Sequence, residues 1–214
     1  MNLQPTDALL VIDVQNDFCP AVNGIGGALA VPEGEQVVPI INKLARRFEH
    51  VILTQDWHPP QHISFATTHG KQPYEVIDVP YGPQTLWPEH CLQHTAGAAL
   101  HPALDIPHAE LILRKGFRRH IDSYSAFLEN DHTTPTGLAG YLRERDLTRL
   151  FLCGLAYDFC VRYSAIDGHT LGFETTVIED ATRPVNLPSS VEGTNTALAA
   201  CNIPRIPSAE ILTQ

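Results

Sequence analysis

The stretch "ALLVIDV" (residues 8–14) is continuous in apolar side chains up to a single aspartate, with no alternation of polar and apolar positions. A strand with one wet face alternates, whereas a short unbroken run of Leu, Val and Ile reads as a strand covered on both faces. Four further runs share this character: "HVILTQD" (50–56), "ELILRK" (110–115), "RLFLCGL" (149–155) and "ETTVIED" (174–180). Helical patterns separate them. In "EGEQVVPIINKLARRFEH" (33–50), Val37, Ile40, Ile41, Leu44 and Phe48 fall on one stripe. "TPTGLAGYLRERD" (134–146) opens near a proline and closes on basic residues, as helices do. "YDFCVRYSAIDGHTLG" (157–172) and "SSVEGTNTALAA" (189–200) follow the fourth and fifth runs. This alternation predicts an α/β fold, three layers α/β/α around a mostly parallel sheet of about six strands. The sixth strand is expected near "IPRIPS" (203–208), where two prolines weaken the signal.

The chain has 214 residues, enough for one well-buried domain, and its 43% hydrophobic and 18% charged residues are those of a folded protein. A net charge of -10 argues against a nucleic-acid surface, which needs clustered Lys and Arg. Five cysteines, Cys19, Cys91, Cys153, Cys160 and Cys201, form no CxxC pair, so neither a zinc ribbon nor a disulfide framework is expected. No cleavable leader and no run near the ~20 residues of a membrane helix is read, and a reduced cytoplasmic setting is expected. Residues 57–109 break the alternation, with Pro, His, Gly and aromatics crowded together. They are expected to fold as an excursion over the sheet's C-terminal edge, where open α/β folds place their sites.

Three polar residues stand at expected strand ends on that edge: Asp13, Lys115 and, just past the fourth strand, Cys160. Singly, each has an ordinary reading: a turn cap, a solvated lysine and a packed thiol. Together they make a coherent nucleophile. A helix start and a nearby cation lower a thiol's pKa from about 8.5. Lys115 would supply the cation, Asp13 would take and return a proton, and the backbone N–H groups of Cys160 and Ala156 would receive a developing oxyanion. A second set is Asp56 and His58, two residues apart on one extended face, with His90 arriving from the excursion. An Asp with two His suits a catalytic metal with open positions, zinc or iron. His62 and Ser64 are further candidates, whereas His94, His101 and His108 read as surface residues.

The segments "LLVIDVQNDFCP", "TQDWHPPQHISFA", "LWPEHC", "LILRKGF" with "DSYSAF", "CGLAYDFCV" and "VIEDATRPV" together resemble the nicotinamidase/pyrazinamidase family of isochorismatase-like cysteine hydrolases. The resemblance spans nearly the whole chain and implies an isochorismatase-like, Rossmann-like fold. It implies Asp13, Lys115 and Cys160 as the triad, with a cis peptide between Leu155 and Ala156 turning the Ala156 N–H into the oxyanion hole. It also implies one divalent metal on Asp56, His58 and His90, zinc first, with iron or manganese tolerated. Phe18, Trp87 and Tyr124 match the aromatic positions enclosing the substrate ring, and Leu155 joins the substrate-binding set. Residues 117–123 and 129–136 read as longer than in compact members, which bears on the pocket rim. The implied reaction turns nicotinamide into nicotinate and ammonia through a thioester, feeding NAD salvage, with pyrazinamide a second substrate. The implied partner is a small molecule rather than nucleic acid or membrane, and a homo-oligomer stays open. Three alternatives remain at this point: an amidase on a carbamoyl or ureido compound, non-haem iron oxygenation, and a non-catalytic binding protein on the same fold. Cys153 reads as structural; no role attaches to Cys19, Cys91 or Cys201.

Overall fold

Every unbroken run is a strand of one sheet. In the computed structural model, which describes residues 1–213, β1 is Asp7–Ile12, β2 His50–Asp56, β3 Val76–Val79, β4 Gly82–Thr85, β5 Leu111–Lys115, β6 Arg149–Leu155, β7 Glu174–Arg183 and β8 Arg205–Ile206. The helices are α1 Val37–Ala45, α2 Leu138–Arg143, α3 Arg162–Thr170, α4 Ser190–Ala200 and α5 Ala209–Leu212. Six strands pair in the order β5-β2-β1-β6-β7-β8, all parallel. The two-residue β8 is the strand expected in "IPRIPS".

The reason β1 has no polar alternation is visible in its packing. Leu9 and Val11 enter a core with Val37, Ile41 and Leu44 of α1, while Ala8, Leu10 and Ile12 enter a second with Leu142, Ala165 and Leu198 of α2, α3 and α4. Both faces are therefore dry, and each buried Leu or Ile contributes roughly 1.5–3 kcal/mol. The run 110–115 departs from expectation. It forms the sheet's edge, only partly covered, and Ile112 is 50% exposed. An apolar run alone does not reveal which strand lacks an outer neighbour. Helices are also shorter than their patterns: 33–50 supplies only α1 after a 3-10 turn, and 134–146 only α2. Residues 157–161 make a π-helical turn before α3 begins.

The excursion is ordered. It holds a 3-10 turn at Ala66–His69 and an antiparallel hairpin of β3 and β4. Single bridges, His58 with Leu92 and Phe65 with Trp87, fasten its ends beside β2. Among the described residues no helix is long and apolar enough to cross a membrane.

Gly154 decides how closely β6 approaches β1. Its φ is +107°, and a Cβ there would lie 2.1 Å from the Ile12 carbonyl oxygen. The β6–β7 register shifts at the same place, between Leu152 and Gly154. Gly154→Ala is expected to cost about 2 kcal/mol or more, read in a thermal melt as a fall of at least about 4 °C.

Candidate active site

Three parallel strands deliver polar groups to one point because parallel strands end on the same edge. Lys115, the last residue of β5, is 1% exposed. Its Nζ lies 2.8 Å from Asp13 Oδ2 and donates to Asp56 Oδ1 at 2.5 Å and to the Ser123 carbonyl at 2.9 Å. Cys160 Sγ stands 3.4 Å away. Asp13 follows β1 with a left-handed φ of +46° and is tied to β2: Thr54 Oγ1 accepts its backbone N–H at 3.1 Å and donates to its Oδ1 at 2.6 Å. Oxygens of Asp13 and Asp56 and the sulfur of Cys160 lie within 4.8 Å of one another.

Burial governs the protons here. It opposes charge on Lys115, but Asp13, Asp56 and Cys160 outweigh it and hold the ammonium well above its ordinary pKa. Asp56 is likewise opposed by burial, yet Lys115 and then His58 carry its carboxyl below the usual range. Asp13 moves the other way, because burial exceeds the pull of Lys115. Cys160 is pushed well up by burial, against Lys115. The thiol was expected to be lowered by its cation and helix start; desolvation wins, and the resting sulfur carries its proton.

Beside this cluster, His58 Nε2 is 3.5 Å and His90 Nε2 3.8 Å from Asp56 Oδ2. Each ring donates its Nδ1–H at 2.8 Å to a backbone carbonyl, of Gly116 for His58 and of Pro88 for His90. Both Nδ1–H groups are thereby committed, and both Nε2 atoms face the same carboxylate oxygen. Burial and the neighbouring His58 push His90 down to about 4, so its imidazole is neutral. Burial opposes charge on His58, but Asp56 outweighs it and raises the His58 pKa. Three buried donors within 4.8 Å, a carboxylate oxygen and two imidazole nitrogens, fit a divalent metal. His62 is engaged otherwise. Its Nδ1 pairs with the Ser64 hydroxyl at 2.8 Å and its Nε2 donates to the Ile121 carbonyl at 3.2 Å, while the ring stacks on His58.

Cys160 of the first set and Asp56, His58 and His90 of the second border one cavity of about 340 Å³, its open mouth included. Phe18, Leu29, Trp87, Tyr124, Phe159 and Val185 line it together with Ala156 and Asp122, whereas Asp13 and Lys115 are not among its lining residues. The Tyr124 hydroxyl accepts from the Trp87 indole N–H and from Gln84 Nε2, both at 3.0 Å, and Trp87 meets Phe159 edge-on at 4.8 Å. The Leu155–Ala156 peptide is cis, as the resemblance implied. Leu155 itself is fully buried in the core and lies outside the cavity lining. Leu29, Asp122, Phe159 and Val185 were not singled out from sequence. Phe159 could have been, standing next to Cys160; the others reach the cavity only through turns that no periodicity announces. Cys153 and Cys91 are fully buried, and burial lifts the Cys19 thiol to about 12. His94 and His108 are exposed and His101 half-buried.

The isochorismatase-domain profile matches residues 7–204. A nicotinamidase of Acinetobacter baylyi is 51% identical over 206 residues, covering 96% of this chain and 94% of the relative. The solved nicotinamidase/pyrazinamidase of Acinetobacter baumanii superposes with a TM-score of 0.95 at 51% identity, over 99% of this chain and all of that one. The pyrazinamidase of Pyrococcus horikoshii, solved in complex with zinc, gives 0.76 at 32% identity over 95% of this chain and 99% of its own. Profile, sequence and sheet agree, and the chain belongs to the isochorismatase family, on its nicotinamidase branch of amidohydrolases.

Proposed function

We propose that the chain hydrolyses nicotinamide to nicotinate and ammonia, and pyrazinamide likewise, through a thioester on Cys160. The observation that carries this reading is the Lys115 ammonium, 2.8 Å from Asp13 and 3.4 Å from Cys160 Sγ, with that sulfur bordering a small aromatic cavity shared with Asp56, His58 and His90. The two Acinetobacter relatives, a nicotinamidase and a nicotinamidase/pyrazinamidase, support it. The reading places the reaction in cytoplasmic NAD salvage.

Asp13 accepts the thiol proton as Sγ attacks the amide carbon. Moving a proton from Cys160 to Asp13 leaves the total charge of the cluster unchanged, and burial raises the proton affinity of Asp13, which favours it as the acceptor. Lys115 faces the sulfur and stabilises the thiolate as it forms. The N–H groups of Ala156 and Cys160 are assigned to the oxyanion. On collapse the C–N bond breaks, and the amide nitrogen leaves as ammonia with the proton held by Asp13. Water then adds to the thioester, giving a proton to Asp13; the C–S bond breaks, and the sulfur recovers that proton as nicotinate departs. Phe18, Trp87, Phe159 and Tyr124 hold the ring. Asp56, His58 and His90 would hold a divalent metal, zinc as in the Pyrococcus structure or iron or manganese, which when bound offers a Lewis acid to the ring nitrogen or a water.

Ammonia release from nicotinamide decides the reading. Cys160→Ala is expected to lower it by roughly 10³-fold or more; near-normal release would end the thioester mechanism. Chelation is expected to abolish turnover, with one added metal restoring it, whereas full activity without metal points to the carbamoyl or ureido amidases. At Gly116 (φ +62°) a Cβ would lie 2.5 Å from His58 Cε1. Gly116→Ala is therefore expected to reduce bound metal per chain, by elemental analysis, while circular dichroism stays unchanged.

A further inference from the structure

Asp158, two residues before Cys160 in the same π-helical turn, is 1% exposed and takes up partners of its own. Its Oδ1 accepts the Val185 N–H at 2.8 Å; its Oδ2 accepts the Asn186 N–H at 2.9 Å and the Ser190 hydroxyl at 2.5 Å. These partners belong to the link between β7 and α4. Residues 184–189 of that link are neither strand nor helix, and Asn186 and Ser189 have left-handed φ values of +64° and +62°. Val185 nevertheless forms part of the cavity lining. A second tie runs alongside: the Tyr157 hydroxyl donates to Asn195 Oδ1 at 2.5 Å, and Arg205 Nη1 donates to the same oxygen at 2.7 Å.

We propose that Asp158 is a positioning residue, locking the cavity wall at Val185 to the turn that carries Cys160. A carboxylate offers only acceptors, so it can receive two consecutive backbone N–H groups and a hydroxyl at once. An amide of the same shape cannot: its NH₂ would face a donor on one side or the other. The sulfur and the opposing wall thus move as one body, and the ring keeps a single placement against the nucleophile. Misplacement of reacting groups by about 1 Å costs on the order of 10²-fold in rate. The kinetic part of this inference rests on the amidase reading; the structural part does not.

The test is Asp158→Asn, followed by deuterium exchange at the amides of Val185 and Asn186 and by kcat/KM for nicotinamide against its ring-methylated analogues. Exchange is expected to quicken about tenfold or more, and the preference for unsubstituted nicotinamide to fall at least about threefold as the wall relaxes. General loss of stability would lower kcat/KM for all substrates alike and leave that preference unmoved. Unchanged exchange overturns the tether, and faster exchange with an unchanged preference overturns the positioning role. If Asp158→Asn does not fold, Ser190→Ala removes one bond. It is expected to speed exchange about 2- to 5-fold and to shift the preference in the same direction, and no change in either overturns the inference. A wild-type chain inactive on nicotinamide would sink the amidase reading and leave the exchange result to decide the tether.

Discussion

A buried ammonium ion must be surrounded by compensating groups, and the active edge of this protein is built around that requirement. Lys115 has carboxylates at 2.8 and 2.5 Å, a carbonyl at 2.9 Å and a sulfur at 3.4 Å. Removing one partner of such a set typically costs 3–5 kcal/mol, because a charge is left in low dielectric without its match. Each partner comes from a different stretch of chain: Asp13 follows β1, Asp56 ends β2, Ser123 lies past β5 and Cys160 sits beyond β6. The compensation of that one charge therefore holds four segments in register. Asp56 belongs to both the lysine cluster and the histidine group, with Oδ1 toward Lys115 and Oδ2 toward His58 and His90. Its backbone is gripped by Gln15, whose side-chain amide accepts from the Asp56 N–H and donates to the Asp56 carbonyl, each at 2.8 Å. One carboxylate thus sets the distance between the Cys160 sulfur and the histidine end of the cavity.

The sheet was legible because its signal is local. A run such as "ALLVIDV" carries no polar residue that water could claim, and the packing gives Leu9 to one core and Leu10 to the other. The convergence of Asp13, Lys115 and Cys160 followed from the rule that parallel strands end together. The rest depended on information beyond any one segment. Whether 110–115 was central or marginal turned on strand order, so Ile112 was read as covered when it is half exposed. The proton on Cys160 turned on a balance between burial and Lys115, which composition cannot weigh. Val185 and Asp122 line the cavity because turns place them there, and irregular backbone has no period to read. Leu155 matched a family position, yet its side chain faces the core.

The excursion shows how a loop-rich segment can be made as exact in placement as a strand. Its histidines are aimed by backbone carbonyls: Gly116 and Pro88 each receive an Nδ1–H, so ring orientation is set by main-chain geometry. Gly116 follows directly on Lys115, and the residue after the ammonium therefore orients His58. Asp17, whose Oδ2 receives the Cys91 N–H at 2.7 Å, fixes the chain immediately after His90.

The position of β5 at the margin of the sheet has a further consequence. Marginal strands are hydrogen-bonded along one side only and are the first to fray in the breathing motions of a native protein. The single cation that faces the sulfur and both carboxylates is carried by this strand, joined to the sheet through β2 alone. The protein has placed its electrostatic keystone on an edge strand. The arrangement of Lys115, Asp13, Asp56 and Cys160 is therefore tied to a local opening equilibrium of β5, and a change at the outer surface of that strand can reach Lys115 without touching the cavity.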